Sequence, residues 1–149
     1  MKLSKLLLLC SVVLALAACG GVDPDSPMGK RQALFKQMLK TSEDLGGMLR
    51  GRIAFDGERF ALLAQELDQL SRQPWQHFPS VQDQGDSAAK ADVWQRQARF
   101  QELARALEAR TTELLQASQV KPLSMAAVQP AQARVEAACK ACHQEFRSH

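Results

Sequence analysis

Apolar residues recur every three or four positions through most of this chain, and that spacing is typical of amphipathic helices. The pattern predicts four of them, at about 27–50, 56–73, 88–118 and 130–147. Pro74 ends the second helix, and Gly and Pro residues mark the loop that follows it. Because most connections are short, we expect an all-α fold, an antiparallel up-down-up-down four-helix bundle.

The ends of these helices carry recognisable signals. Ser26 can cap the first helix, Pro27 suits its first turn, and Gly51 can end it. The start of the last helix is open, because an earlier start at Met125 would place Pro130 inside the helix and kink it. The leucine and phenylalanine stripes of all four helices are interpreted as core packing.

Residues 1–18 are not expected to belong to the fold. Lys2 and Lys5 precede an apolar run from Leu6 to Ala18. That run is too short for an ordinary membrane span and is typical of a secretory leader.

The sequence Leu-Ala-Ala-Cys-Gly at 16–20 resembles a bacterial lipobox, which implies cleavage before Cys19 and a lipid on its thiol. Ordinary signal-peptidase cleavage after Ala17 is the alternative. We therefore expect 1–18 to be a lipoprotein-type signal peptide, and 19–29 to be the lipidated cysteine and a tether. The protein would lie in the periplasm, anchored to a membrane.

Charge and composition exclude some function classes. The whole chain carries 19 basic and 16 acidic residues, and removal of Lys2 and Lys5 changes the net charge from +3 to +1 (17 against 16). No basic stripe with interleaved aromatic residues is present, so nucleic-acid binding is not expected.

The strongest chemical signal is Cys-Lys-Ala-Cys-His at 139–143. Cys139 and Cys142 would share a helix face, where their thiols can form thioethers with the two vinyl groups of one porphyrin. His143 follows directly and can ligate the iron, so the motif predicts one covalently attached haem c. A zinc site or a redox dithiol is the alternative, but few further zinc ligands remain and no strand precedes the pair.

Other stretches resemble the cytochromes c′, which are monohaem c-type cytochromes built on a four-helix bundle. That family carries its haem motif near the C-terminus, followed by an aromatic residue and an arginine, as in Phe146 and Arg147. Also similar are Pro-Trp-Gln-His-Phe-Pro at 74–79, Ala-Asp-Val-Trp at 91–94 and the pair Arg31-Gln32. The resemblance covers 30–147 and implies a haem-binding bundle over 30–149.

This resemblance implies that Cys139 and Cys142 are the thioether anchors and that His143 is the proximal iron ligand. Arg147, four residues later, would lie beside the proximal haem face. A solvated arginine favoured by the helix dipole is the alternative.

The resemblance also places Arg31 and Gln32 near the haem propionates, where a guanidinium can form a charge-assisted bond. The alternative for Arg31 is a surface charge on the first helix.

Position 35 decides the coordination that the resemblance implies. Low-spin relatives carry a methionine there as the sixth iron ligand, whereas this chain has Phe35, which cannot bind iron. We expect five-coordinate iron beside a crowded apolar pocket. Met38, one turn on, could still ligate, although core packing is favoured for it.

Two functions fit this interpretation, and a haem-free zinc or dithiol module is a third. The first is electron transfer with redox partner proteins, and the second is binding of NO or CO at an open iron site. No distal acid–base residue is recognised, so an enzyme is not expected. A homodimer is possible because dimers are common in the family.

Overall fold

The computed structural model describes residues 22–82 and 87–148. Within them the helices are α1 (Pro27–Leu49), α2 (Gly57–Ser71), α3 (Asp92–Gln95), α4 (Gln97–Ala117) and α5 (Met125–Phe146), with a 3-10 turn at Trp75–His77. The predicted signal peptide and Cys19 lie outside the described residues. None of the helices in the described ranges is both long and apolar enough to span a bilayer.

Four long helices form a bundle. Helix α1 packs against α2, α2 against α4, α4 against α5, and α5 closes the ring on α1. The prediction of an all-α up-down-up-down bundle is confirmed. We call the end where α1 begins and α5 finishes the motif end, and the other end, with the α1–α2 and α4–α5 connections, the opposite end.

Helix α1 begins where its sequence signals predicted. The Ser26 side chain accepts a hydrogen bond from the Gly29 N–H at 3.0 Å, and Pro27 occupies the first turn. The chain is therefore helical from Pro27, and residues 27–29 of the expected tether lie in α1. The helix ends before Gly51, whose φ of 70° is a conformation that glycine adopts without strain.

The predicted third helix over 88–118 is wrong at its start. Residues 88–90 are extended, and the Ser148 N–H donates to the Ala88 carbonyl at 2.8 Å. The Lys90 N–H donates to the Phe146 carbonyl at 2.9 Å. The segment is thus held by the C-terminus of α5, a partner that a local helical pattern does not reveal. A break at Arg96 then separates α3 from α4.

The last helix starts at Met125, the earlier of the two starts that the sequence left open. Ser124 caps it, accepting from the Ala127 N–H at 3.4 Å, and Pro130 lies inside the helix. The main core fills the bundle between the four long helices. We call its buried members the leucine-rich core: Met38, Leu45, Met48, Phe60, Ala64, Leu67, Leu70, Leu107, Leu114, Val128, Ala131 and Val135.

Candidate functional site

The Cys-x-x-Cys-His motif occupies the last two turns of α5. Cys139 and Cys142 are free thiols, both half-buried, and His143 is exposed. The spacing of three residues places the two cysteines on one side of the helix. Because α5 continues to Phe146, the motif is held in regular helical geometry.

The two cysteines contact different apolar groups. Cys139 packs against the leucine-rich core, whereas Cys142 packs against a second buried cluster at the motif end that includes Phe100 and Phe146. The pKa of Cys142 is raised to about 11, mainly by burial. The charges of Cys139 and Glu145 also raise it. Burial also raises the pKa of Cys139. The thiols are therefore protonated at neutral pH.

Six aromatic side chains converge at the motif end. We call this group the aromatic cluster: Phe35, Trp75, Phe78, Trp94, Phe100 and Phe146. The rings of Phe78 and Phe100 have centroids 4.8 Å apart, and those of Phe100 and Phe146 lie 5.4 Å apart, both edge-on. The cluster joins α1, α3, α4, α5 and the loop after α2 into one apolar group beside Cys142.

Arg31 is buried at the edge of this cluster. Its side chain is 2% exposed, so its interpretation as a surface charge is wrong. The guanidinium donates to the His77 carbonyl at 3.1 Å and lies 4.7 Å from the centroid of the Phe78 ring. It thereby holds the loop after α2 against α1. The neighbouring Gln32 is exposed.

Phe35 and Met38 differ in their surroundings. Phe35 is half-buried and contacts the rings of Trp75 and Phe78 edge-on, with centroids 5.9 Å and 6.4 Å away. Met38 is 6% exposed and belongs to the leucine-rich core. Its surroundings therefore support the interpretation of Met38 as a packing residue.

His143 faces away from the core of the bundle. Partial desolvation of the ring, followed by the nearby Arg147 charge, lowers the pKa of His143, so the imidazole is neutral at neutral pH. None of the described residues hydrogen bonds to that ring. Arg147 is exposed, and its backbone N–H donates to the His143 carbonyl at 3.1 Å, which places it at the end of α5.

Sequence reasoning missed a clamp on the last turn of α5. The Glu145 carboxylate pairs with Arg96 at 2.7 Å and with Arg99 at 2.7 Å. Both bonds lower the pKa of Glu145, and the bond with Arg99 has the larger effect. The partners lie almost 50 positions away in the chain, so no local spacing indicates the pairing. The clamp fixes the helix turn that carries His143.

A sequence model of the family described as Cytochrome C' matches residues 26–147. The chain belongs to the cytochrome c′ family. A cytochrome c′ from Rhodopseudomonas palustris is 29% identical over 122 residues, which cover 81% of each chain.

Two solved structures of cytochromes c′ share the fold. Cytochrome c prime from Shewanella frigidimarina matches with a TM-score of 0.79 and 28% identity, over 87% of this chain and 100% of the other. A nitric oxide complex of a variant from Alcaligenes xylosoxidans matches with a TM-score of 0.75, over 87% of this chain and 99% of the other, and at 22% identity it shows the fold alone.

Membership of the cytochrome c′ family implies a haem c cofactor, and the residues at the motif end fit one. Two free thiols lie one helix turn apart beside an apolar aromatic surface, and a neutral imidazole follows them without a hydrogen-bond partner among the described residues. By contrast, the described residues contain no group of three or more His, Cys, Asp or Glu that could hold a metal ion. The zinc alternative therefore has no support in the described part of the chain.

Proposed function

We propose that this cytochrome c′ is an electron-transfer protein that works outside the cytoplasm with one covalently bound haem c per chain. Thioether bonds from Cys139 and Cys142 would hold the haem, and His143 would be the axial iron ligand. The observation that carries the proposal is the placement of these three residues on the last two turns of α5, with Cys142 packed against the aromatic residues at the motif end. The haem iron supplies the one-electron cycle between the ferric and ferrous states.

The protein's own residues position and shield that centre. The aromatic cluster excludes water from one side, and burial of this kind tunes a haem potential. Glu145 fixes the last turn of α5 to α4 through Arg96 and Arg99. This holds the His143 backbone in place, and the lowered pKa of His143 keeps a nitrogen lone pair free for the iron.

Phe35 supports five-coordinate iron. It offers no ligand atom, and its ring is held edge-on by Trp75 and Phe78. Cys139 and Phe35 both pack against the leucine-rich core, and the resemblance to the cytochromes c′ implies that position 35 faces the haem. The sixth coordination position would then be open and surrounded by apolar side chains.

An open apolar site also supports a second function, binding of NO or CO. A solved relative from Alcaligenes xylosoxidans is a nitric oxide complex, and another is a carbon monoxide complex. The Phe35 ring itself offers bound O₂ no hydrogen-bond donor, and an apolar side chain at that position favours NO or CO over O₂. Gas scavenging or sensing is therefore the alternative to electron transfer.

For the location of the protein we propose the periplasm, with a lipid on Cys19 that anchors it to a membrane. The proposal is supported by the small residues before Cys19 and the basic, apolar leader that precedes them.

The proposal is tested by absorption and EPR spectra of the purified exported protein, oxidised and reduced, with and without NO. High-spin five-coordinate iron that binds NO supports the open site. If the ferrous iron also exchanges electrons with a redox dye while NO is absent, electron transfer is supported. Low-spin iron that ignores NO contradicts the open site, and protein without haem contradicts the whole proposal.

A further inference from the structure

The chain folds onto α1 immediately after Val22. The Ser26 N–H and hydroxyl both donate to the Asp23 carbonyl, at 3.1 Å and 2.6 Å. A Cβ atom at Gly29 would lie 2.1 Å from the same carbonyl oxygen, so the turn is pressed against the helix. Only three residue steps separate Cys19 from Val22, and they span at most about 11 Å.

That turn lies at the motif end of the bundle. Arg31, one turn into α1, donates to the His77 carbonyl at 3.1 Å and covers the Phe78 ring. Phe78 contacts Phe100, and Phe100 contacts Phe146, three residues after His143. The point where the tether enters the fold and the proposed haem site are therefore at one end of the molecule.

The opposite end is beyond the reach of this tether. Helix α5 has 22 residues and is therefore about 33 Å long. If the opposite end faced the membrane, the start of α1 would stand about one helix length above it. A tether of about 11 Å cannot cover that distance.

From these lengths we infer that the motif end, with His143 and the proposed haem, is held against the lipid surface that receives the anchor. The inference rests on the proposed lipid at Cys19. The occupant of this face is a bilayer, because the length of chain between anchor and fold places one there. The opposite end, with the α1–α2 and α4–α5 connections, then faces the aqueous compartment.

The test compares one position at each end of the lipidated holoprotein. Ser80 is exposed in the loop at the motif end, next to Pro79, whose carbonyl accepts from the Trp94 indole at 2.9 Å. Ala54 is exposed in the α1–α2 connection. Ser80→Cys and Ala54→Cys are each labelled with a nitroxide in liposomes of phosphatidylethanolamine and phosphatidylglycerol. Relaxation of the label is measured with and without nickel-chelating lipid, so that any effect of the haem iron cancels.

We expect nickel lipid to enhance relaxation several-fold more at position 80 than at position 54. Insertion of a Gly/Ser linker of about 20 residues after Gly20 is expected to reduce the enhancement at position 80. Equal enhancement at both positions, a larger one at position 54, or no effect of the linker overturns the orientation.

Mass spectrometry of the same samples separates failure of this inference from failure of the anchor. If Cys19 carries lipid but the motif end does not face the membrane, the inference is contradicted and the proposed anchor is not. An unmodified Cys19 contradicts the proposed anchor and the inference with it. Neither result affects the proposed haem site, whose haem content is measured by absorbance in each sample.

Discussion

The phenyl ring of Phe35 meets the indole of Trp75 edge-on, with ring centroids 5.9 Å apart. The contact joins α1 to the 3-10 turn after α2, and both side chains also pack against the leucine-rich core that Cys139 touches. Position 35 is thus held against the same buried core as one proposed haem anchor. This relationship makes the coordination of the iron testable by single substitutions on α1.

Phe35→Met is expected to convert five-coordinate high-spin iron into six-coordinate low-spin iron. The thioether sulfur is an iron ligand, and the flexible methionine side chain can occupy the space of the ring. Absorption and EPR spectra of the ferric and ferrous protein measure the change, and binding of NO is expected to weaken with it.

Leu39→Met is the matched control for that substitution. Leu39 lies one turn further along α1 and is 59% exposed, so a methionine there has no access to the interior of the bundle. Its spectra are expected to equal those of the wild type. An unchanged spectrum in Phe35→Met as well means that position 35 does not face the iron.

Met38→Ala is expected to lower the free energy of unfolding by about 2–5 kcal/mol without changing the iron spectrum. The side chain is 6% exposed in the leucine-rich core, so its removal leaves a cavity. Urea denaturation of the holoprotein measures the loss. Met38→Leu, which keeps the volume, is expected to cost less than about 1.5 kcal/mol. A change from low-spin to high-spin iron in both variants would show that Met38 is an iron ligand.

Cys139→Ala and Cys142→Ala are each expected to give little stable holoprotein. Each removes one proposed thioether, while the half-buried position tolerates the smaller side chain. The covalent haem content per chain is measured by mass spectrometry and by the pyridine haemochrome spectrum. Lys140→Ala, at an exposed position between the two cysteines, is the control and keeps its haem. Normal covalent haem in both cysteine variants contradicts the assignment.

The hydroxyls of Ser71 and Thr111 lie 2.9 Å apart in a fully buried contact between α2 and α4. Thr111→Val is expected to cost about 1–3 kcal/mol, because it leaves the Ser71 hydroxyl without this partner. The double variant Ser71→Ala/Thr111→Val is expected to lose less than the sum of the single variants. Strictly additive losses, measured by urea denaturation, would mean that the two hydroxyls are not coupled.

Glu113 links α4 to α5 through Arg134, whose Nε lies 3.0 Å from the carboxylate. That hydrogen bond lowers the pKa of Glu113 below its usual 4.5. A group with a depressed folded pKa stabilises the fold above its unfolded pKa, and this contribution disappears as the pH falls through the folded value. Glu113→Gln is therefore expected to have a slightly lower Tm than the wild type at pH 7, with the difference vanishing in strong acid.

Glu43→Gln is the control for the pH experiment, because Glu43 is exposed and forms no ion pair with the described residues. Its Tm difference from the wild type is expected to be small and to show no comparable change with pH. A Glu113→Gln difference that grows as the pH falls would contradict the sign of the pKa shift.

Local signals in the sequence determined several features of this protein. The apolar spacing predicted the bundle, and Ser26, Pro27 and Gly51 marked the ends of α1 within a residue or two. The motif at 139–143 indicated haem attachment because both anchors and the iron ligand are neighbours in the chain. Such features depend on interactions within a few residues, which a sequence displays directly.

Only the tertiary structure decided the features that depend on distant partners. Residues 88–90 are extended because they hydrogen bond to the end of α5, and Arg31 is buried because the loop after α2 folds over it. The convergence of the aromatic cluster and the Glu145 clamp likewise join positions far apart in the chain. Their energies arise when separate helices pack together, so no periodicity or local spacing encodes them in a single sequence.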